Sequence, residues 1–152
     1  MNLRLMSAGE KKKIIKELNE RFGISEDTLD YAFLESGKDK IRIFSGHMTR
    51  DDLKVLGEVL RVEGVGLYCV RRENFGLRLG FDATQLFAAE IKESVLELSK
   101  EEFDLWMRGQ LVHSTHERGI YVVKFKGDCV GCGYHDGIKL LNYVPRERQF
   151  KG

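Results

Sequence analysis

A chain of 152 residues with 42% apolar and 32% charged side chains has the composition of an ordinary globular protein, long enough for one large domain or two small packed ones. No apolar run reaches bilayer-spanning length, the start at Met1–Leu5 is followed by the charged run Glu10–Lys13 rather than a secretory apolar region, and three cysteines cannot close a disulfide framework. These features predict a cytoplasmic protein with reduced thiols and no membrane partner, while a net charge of +1 leaves nucleic-acid binding to be decided by charge arrangement.

In chain order, Ser7 and Glu10 have capping-box spacing, and Ile14, Ile15, Leu18 and Phe22 recur at helical intervals until Gly23, which predicts an amphipathic helix near residues 8–22. The β-prone runs Tyr31–Glu35 and Lys40–Phe44 flank the turn residues Ser36-Gly37-Lys38-Asp39 and predict a hairpin. Thr49 with Asp52 marks a second helix start, with Leu53, Leu56, Val59 and Leu60 as its apolar stripe before Gly64 and Gly66. Val65–Val70 then reads as a strand.

Gly80, Asp82 and Thr84 open a short helical piece through Ala89, Ile91–Leu98 is strand-like, and Ser99 with Glu102 caps a helix carrying Phe103 and the core anchor Trp106. The runs Ile120–Phe125, Cys129–Tyr134 and Ile138–Tyr143, separated by glycine-containing turns, have the cadence of a small barrel or sandwich. The single proline, Pro145, and the lack of low-complexity sequence leave no flexible linker, so the halves should pack directly on each other. The expected class is α+β: a small α/β unit over residues 1–75, then a mainly β unit over 76–152.

One segment carries a family resemblance. Gly119-Ile120-Tyr121-Val122-Val123-Lys124-Phe125-Lys126-Gly127 leads into Cys129-Val130-Gly131-Cys132-Gly133, and the chain goes on as Gly137-Ile138-Lys139-Leu140-Leu141-Asn142-Tyr143-Val144-Pro145-Arg146. This resembles the PUA-like RNA-binding domain at the C-terminus of Nol/Nop/Sun-type RNA cytosine-C5 methyltransferases. Gly131 and Gly133 match that family's G-x-G step, and Asn142, Pro145 and Arg146 match its ending. Leu140-Leu141 places one extra residue between Lys139 and Asn142, which a bulge would absorb. Leu77–Leu86 resembles the opening strand and first helix of PUA domains, and Trp106–Val112 the segment entering their central strands. The layout of a small α/β unit before such a domain is similar to that of small PUA ribosome-biogenesis factors.

The resemblance implies a PUA-like β-barrel over residues 76–152 that binds structured tRNA or rRNA, in RNA modification or ribosome biogenesis, with Arg78, Lys124, Lys126, Lys139, Asn142, Arg146 and Arg148 near the RNA. Clustered cations give phosphate affinity without base reading, although each alone is as readily a solvated surface charge. Tyr121, Phe125, Tyr134 and Tyr143 lie on the β runs, where the core is the default and base stacking the alternative.

Cys129, Cys132 and His135, with His113 or His116 as a fourth group, have metal-like spacing but lack a second clear pair, and because successive strand residues point to opposite faces the two thiols need not converge. No metal and no cofactor are therefore expected. A redox use of the cysteine pair would want a helix N-terminus, which Gly131, Gly133 and the β-prone flanks argue against. No glycine-rich cofactor loop opens a helix, and Cys69, Cys129 and Cys132 follow Tyr68, Asp128 and Gly131 rather than the Pro or Thr that precedes the attacking cysteine in RNA cytosine methyltransferases. The chain is expected not to be an enzyme. Its alternatives are a subunit associated with such a methyltransferase, or a protein-protein adaptor in ribosome assembly with an apolar docking patch on the first half.

Overall fold

The computed structural model of the protein describes residues 3–45, 49–59 and 66–151, with the side chains of residues 56–59 outside that description. Strand β1 (Leu3–Leu5) leads to helix α1 (Ala8–Phe22). Ser7 accepts from the Glu10 amide and the Glu10 carboxylate accepts from the Ser7 amide, so the predicted capping box forms. Gly23, at φ 82°, ends the helix in the left-handed conformation that glycine adopts without a Cβ penalty. A 3-10 turn at Glu26–Leu29 follows, then the hairpin β2 (Ala32–Ser36) and β3 (Lys40–Phe44), close to its predicted limits.

Helix α2 (Arg50–Val59) starts from the Thr49/Asp52 cap, in which each side chain bonds the other's amide. Strand β4 (Leu67–Glu73) runs past the predicted end at Val70; the predicted start at Val65, with Leu60 and Gly64, lies outside the described residues. Strand β5 (Gly76–Leu79) pairs antiparallel with β4 and completes a sheet of order β1-β2-β3-β4-β5. The expected boundary after residue 75 thus falls in the β4–β5 turn, and Leu77–Leu79 on its far side is hydrogen-bonded to the first sheet. The two faces of this sheet are used differently. Phe33, Ile41, Ile43, Val70 and Leu79 join Ile14, Leu18 and Phe22 of α1 in the main core, whereas Leu34 meets Leu53 of α2, with Leu3, Leu5 and Phe44 around them.

Helix α3 (Phe81–Leu86) follows Gly80. Ile91–Leu98 yields only a three-residue strand, β6 (Val95–Glu97), because the chain turns at Ile91–Ser94 before reaching the sheet, with Ser94 at φ 56°. Helix α4 (Lys100–Met107) has its Ser99/Glu102 capping box. Strands β7 (Val112–His113), β8 (Gly119–Phe125), β9 (Asp128–His135) and β10 (Lys139–Leu141) complete a second sheet of order β6-β8-β9-β10-β7. This sheet is curled into a half-barrel; β6 and β7 are its edges and do not pair with each other, so the expected barrel is open on that side. The short β1 and β7 carry too few residues to show a period in the sequence.

Trp106 is fully buried, and its indole Nε1 donates to the Val130 carbonyl at 2.6 Å. The Gly131/Gly133 step makes room for that ring. A Cβ on Gly133 would lie 2.9 Å from the indole and 2.8 Å from the Leu141 carbonyl oxygen, and one on Gly131 would stand 3.2 Å from the Phe81 ring. The halves share one apolar core, because Ile120, Val122, Cys129 and Cys132 of the second sheet sit in the cluster built on α1 and the first sheet. Phe75 of the β4–β5 turn stacks on Tyr134 of β9 with centroids 4.1 Å apart. No helix among the described residues is long and apolar enough to cross a membrane.

Candidate nucleic-acid interface

Pro145, at φ −61° and ψ 147°, takes the chain from the half-barrel into a short 3-10 turn, Arg146–Arg148. The turn projects all three of its side chains into solvent. Arg146 has no hydrogen-bond or ion-pair partner among the described residues, and Arg148 makes an exposed ion pair of 2.7 Å with Asp82 at the start of α3. Lys126 occupies the tip of the β8–β9 hairpin at φ 48°, with Nζ 5.5 Å from the Phe125 ring centroid. Phe125 stacks on Phe103 at 4.0 Å, and Phe103 meets Phe150 edge-on at 5.7 Å. This aromatic chain links the hairpin tip to the C-terminal segment. Lys124, half-buried on β8, lies beside Glu97 of β6.

The other predicted residues are tied into the protein. Lys139 pairs with Asp136 at 2.9 Å, and the Ile138 and Lys139 amides also bond that carboxylate, which together hold Asp136 well below the usual carboxylate range. Asn142 gives its amide hydrogens to the carbonyls of Trp106 and Gln110, each at 2.8 Å, and its oxygen accepts from the Val144 amide at 2.8 Å. The family ending therefore places an asparagine whose amide closes the C-terminal end of α4 onto the last strand. Arg78 is 8% exposed. It donates to the Glu73 carboxylate through Nε and Nη2 and lies 4.0 Å from the Tyr143 ring centroid. Sequence reasoning grouped these residues by charge or motif, which carries no information on which way each side chain points.

The cysteine and histidine groups are likewise committed. His135 is fully buried; its Nδ1 accepts the Gly137 amide at 3.0 Å, which leaves the proton on Nε2 to be donated to Ser114 Oγ at 2.9 Å. Burial lowers its pKa, with the neighbouring His116 acting in the same direction. Cys69, Cys129 and Cys132 are buried, and burial pushes the thiols of Cys69 and Cys132 up to about 12 and that of Cys129 in the same direction. Such thiols are not thiolates near neutrality. Among the described residues no three His, Cys, Asp or Glu side chains gather as metal ligands would.

Residues 93–150 match the family described as the Methyltransferase RsmF PUA domain. No curated protein matches the chain. The match starts after α3 and runs to Phe150, so it takes in the half-barrel, α4 and the Arg146–Arg148 turn. Residues 93–150 are thus a PUA-type domain resembling that of the Sun/Nol-type methyltransferases.

Proposed function

We propose that the protein binds structured RNA, tRNA or rRNA, through its PUA-type half and serves RNA modification or ribosome biogenesis in the cytoplasm. The observation that carries this reading is the match over residues 93–150 together with the solvent-facing Arg146–Arg148 turn inside it. Guanidinium groups engage phosphate with two parallel hydrogen bonds, and Arg146, which has no partner among the described residues, can do so. Lys124 and Lys126 extend the cationic edge toward the β8–β9 hairpin. Lys139, Asn142 and Arg78 serve the same site by fixing the backbone on which the arginines stand.

In this reading the chain acts by binding, and the burial that raises the Cys69 and Cys132 thiols speaks against their use as nucleophiles on a base. A second reading, a subunit that presents RNA to a separate methyltransferase, is favoured by the kind of protein whose PUA domain the chain matches. Electrophoretic shift of a tRNA transcript and of an rRNA hairpin, repeated across a salt series, tests the main reading; binding that weakens steeply with salt is expected. No shift of either RNA at low salt would refute it. Methyl incorporation into RNA only when a methyltransferase is added would support the second reading.

A further inference from the structure

On the first sheet, the face that meets α2 at Leu34 changes character toward β5. Antiparallel partners directly opposite each other project from the same face. Lys40 of β3 is opposite Arg71 of β4, and Arg71 is opposite Arg78 of β5, so three cations stand in one row across three strands, about 10 Å from end to end. In the neighbouring row Arg42 is opposite Tyr68, and the Lys40 ammonium lies 5.5 Å from the Tyr68 ring centroid. Lys40 is exposed and the Arg71 side chain is 41% exposed.

Like charges directly opposite across a ladder destabilise a sheet. Here the single carboxylate Glu73 is shared between Arg78 at 3.0 Å and Arg71 at 3.5 Å. Among the described residues the Nε atoms of Arg42 and Arg71 have no hydrogen-bond acceptor, although Arg71 Nε stands in the 3.5 Å ion pair with Glu73 and Arg42 Nη1 donates to the Gly66 carbonyl at 3.4 Å. Among the described residues this face thus carries more cationic groups, Lys40, Arg42, Arg71 and Arg78, than the carboxylate of Glu73 neutralises, an excess that a bound polyanion would offset. It is also continuous with the PUA-type half, because Tyr143, three residues before Arg146, lies over the inner end of the row at Arg78.

We infer that this face, through Lys40, Arg42 and Arg71, is a second RNA-backbone contact that continues the path leaving the Arg146–Arg148 turn, with the Tyr68 ring beside it. The inference rests on the RNA-binding reading of the PUA-type half. RNA is favoured over an acidic protein segment because an aromatic ring interleaves the cations and because the row adjoins a PUA-type domain. Arg78, being buried, joins the two surfaces and does not itself meet the ligand.

The test compares the full chain with the triple variant Lys40→Gln, Arg42→Gln, Arg71→Gln and with Arg146→Ala, Arg148→Ala, using a labelled tRNA transcript, an rRNA hairpin and labelled poly-L-glutamate across a salt series. Relief of like-charge opposition should leave the triple variant's melting temperature unchanged or raised, which checks that it is folded. The expected result is RNA binding weakened roughly tenfold or more, with the slope of log affinity against log salt flattened by about two to three, and no tight poly-L-glutamate binding to the parent. A folded triple variant that binds both RNAs like the parent overturns this inference and leaves the PUA-type site standing. Poly-L-glutamate binding that depends on the three residues while RNA binding does not would assign the face to an acidic protein partner and equally overturn it. A parent that binds neither RNA overturns both.

Discussion

The guanidinium of Arg78 is held between two residues from different parts of the chain: it donates twice to Glu73 in the adjoining strand and lies against the ring of Tyr143 from the far end of the sequence. Sequence position puts Arg78 at the entrance to the second half, but its side chain is a fastening between the halves. Removing it leaves the largely buried Glu73 carboxylate without its closest partner. Arg78→Ala should therefore cost about 2–3 kcal/mol, a fall in melting temperature of roughly 4–12 °C for a protein of this size. Arg78→Lys should recover only part of this, since an ammonium keeps the charge without the two-pronged geometry or the planar stack. Thermal unfolding followed by circular dichroism checks both.

Asn142 makes three hydrogen bonds that no aliphatic side chain can replace. Asn142→Ala should lower stability by about 2–3 kcal/mol, because two carbonyls and one amide lose their partner at once. Asn142→Asp should be at least as harmful, since it turns a carboxylate oxygen toward the Trp106 and Gln110 carbonyls. Urea denaturation measures the change, and at temperatures where the variants stay folded their RNA affinity should match the parent's.

Arg146 and Arg148 show the opposite balance. Both are exposed, and the ion pair that Arg148 makes to Asp82 is of the surface kind that contributes little. The double change to alanine should leave the melting temperature within about 2 °C. It should weaken RNA binding by about 1–3 kcal/mol and flatten the salt slope by about two. Parent-like affinity and slope would remove this turn from the RNA site.

His135 gives the stability a pH dependence of definite sign. Burial lowers its folded-state pKa below the ordinary value of about 6.5, so the unfolded chain takes up the proton first and unfolding is favoured as the pH falls. The melting temperature should decline between pH 7 and pH 5. Glu10 and Glu35, whose pKa values are lowered by Arg4 bridging both carboxylates, should lose their contribution only below about pH 4.5. A glutamine at 135 offers an amide donor toward Ser114 and an oxygen acceptor toward the Gly137 amide. His135→Gln should therefore flatten the pH 5–7 slope without abolishing folding, and an unchanged slope would assign it to other groups.

The sequence by itself determined what is local. Capping residues located α1, α2 and α4, β-prone runs around glycine-containing turns located the β2–β3 hairpin and the β8–β9 pair, and the Gly131/Gly133 step pointed to the PUA-type domain, because each of these signals lies within a few residues of what it governs. What each polar side chain does was decided only by tertiary structure. Asn142 meets carbonyls 36 and 32 residues away, and nothing in the motif around it shows that its amide is thereby consumed. Strict alternation along β4 would put Tyr68 on the same face as Val70. A bulge there places two β4 residues, Tyr68 and Cys69, where one would suffice between Ile41 and Arg42, so Cys69 joins the core and Tyr68 turns to the cationic face. That bulge, and the in-register row of Lys40, Arg71 and Arg78, arise from pairing between strands, and strand register is set by which faces must be buried once the whole sheet has formed.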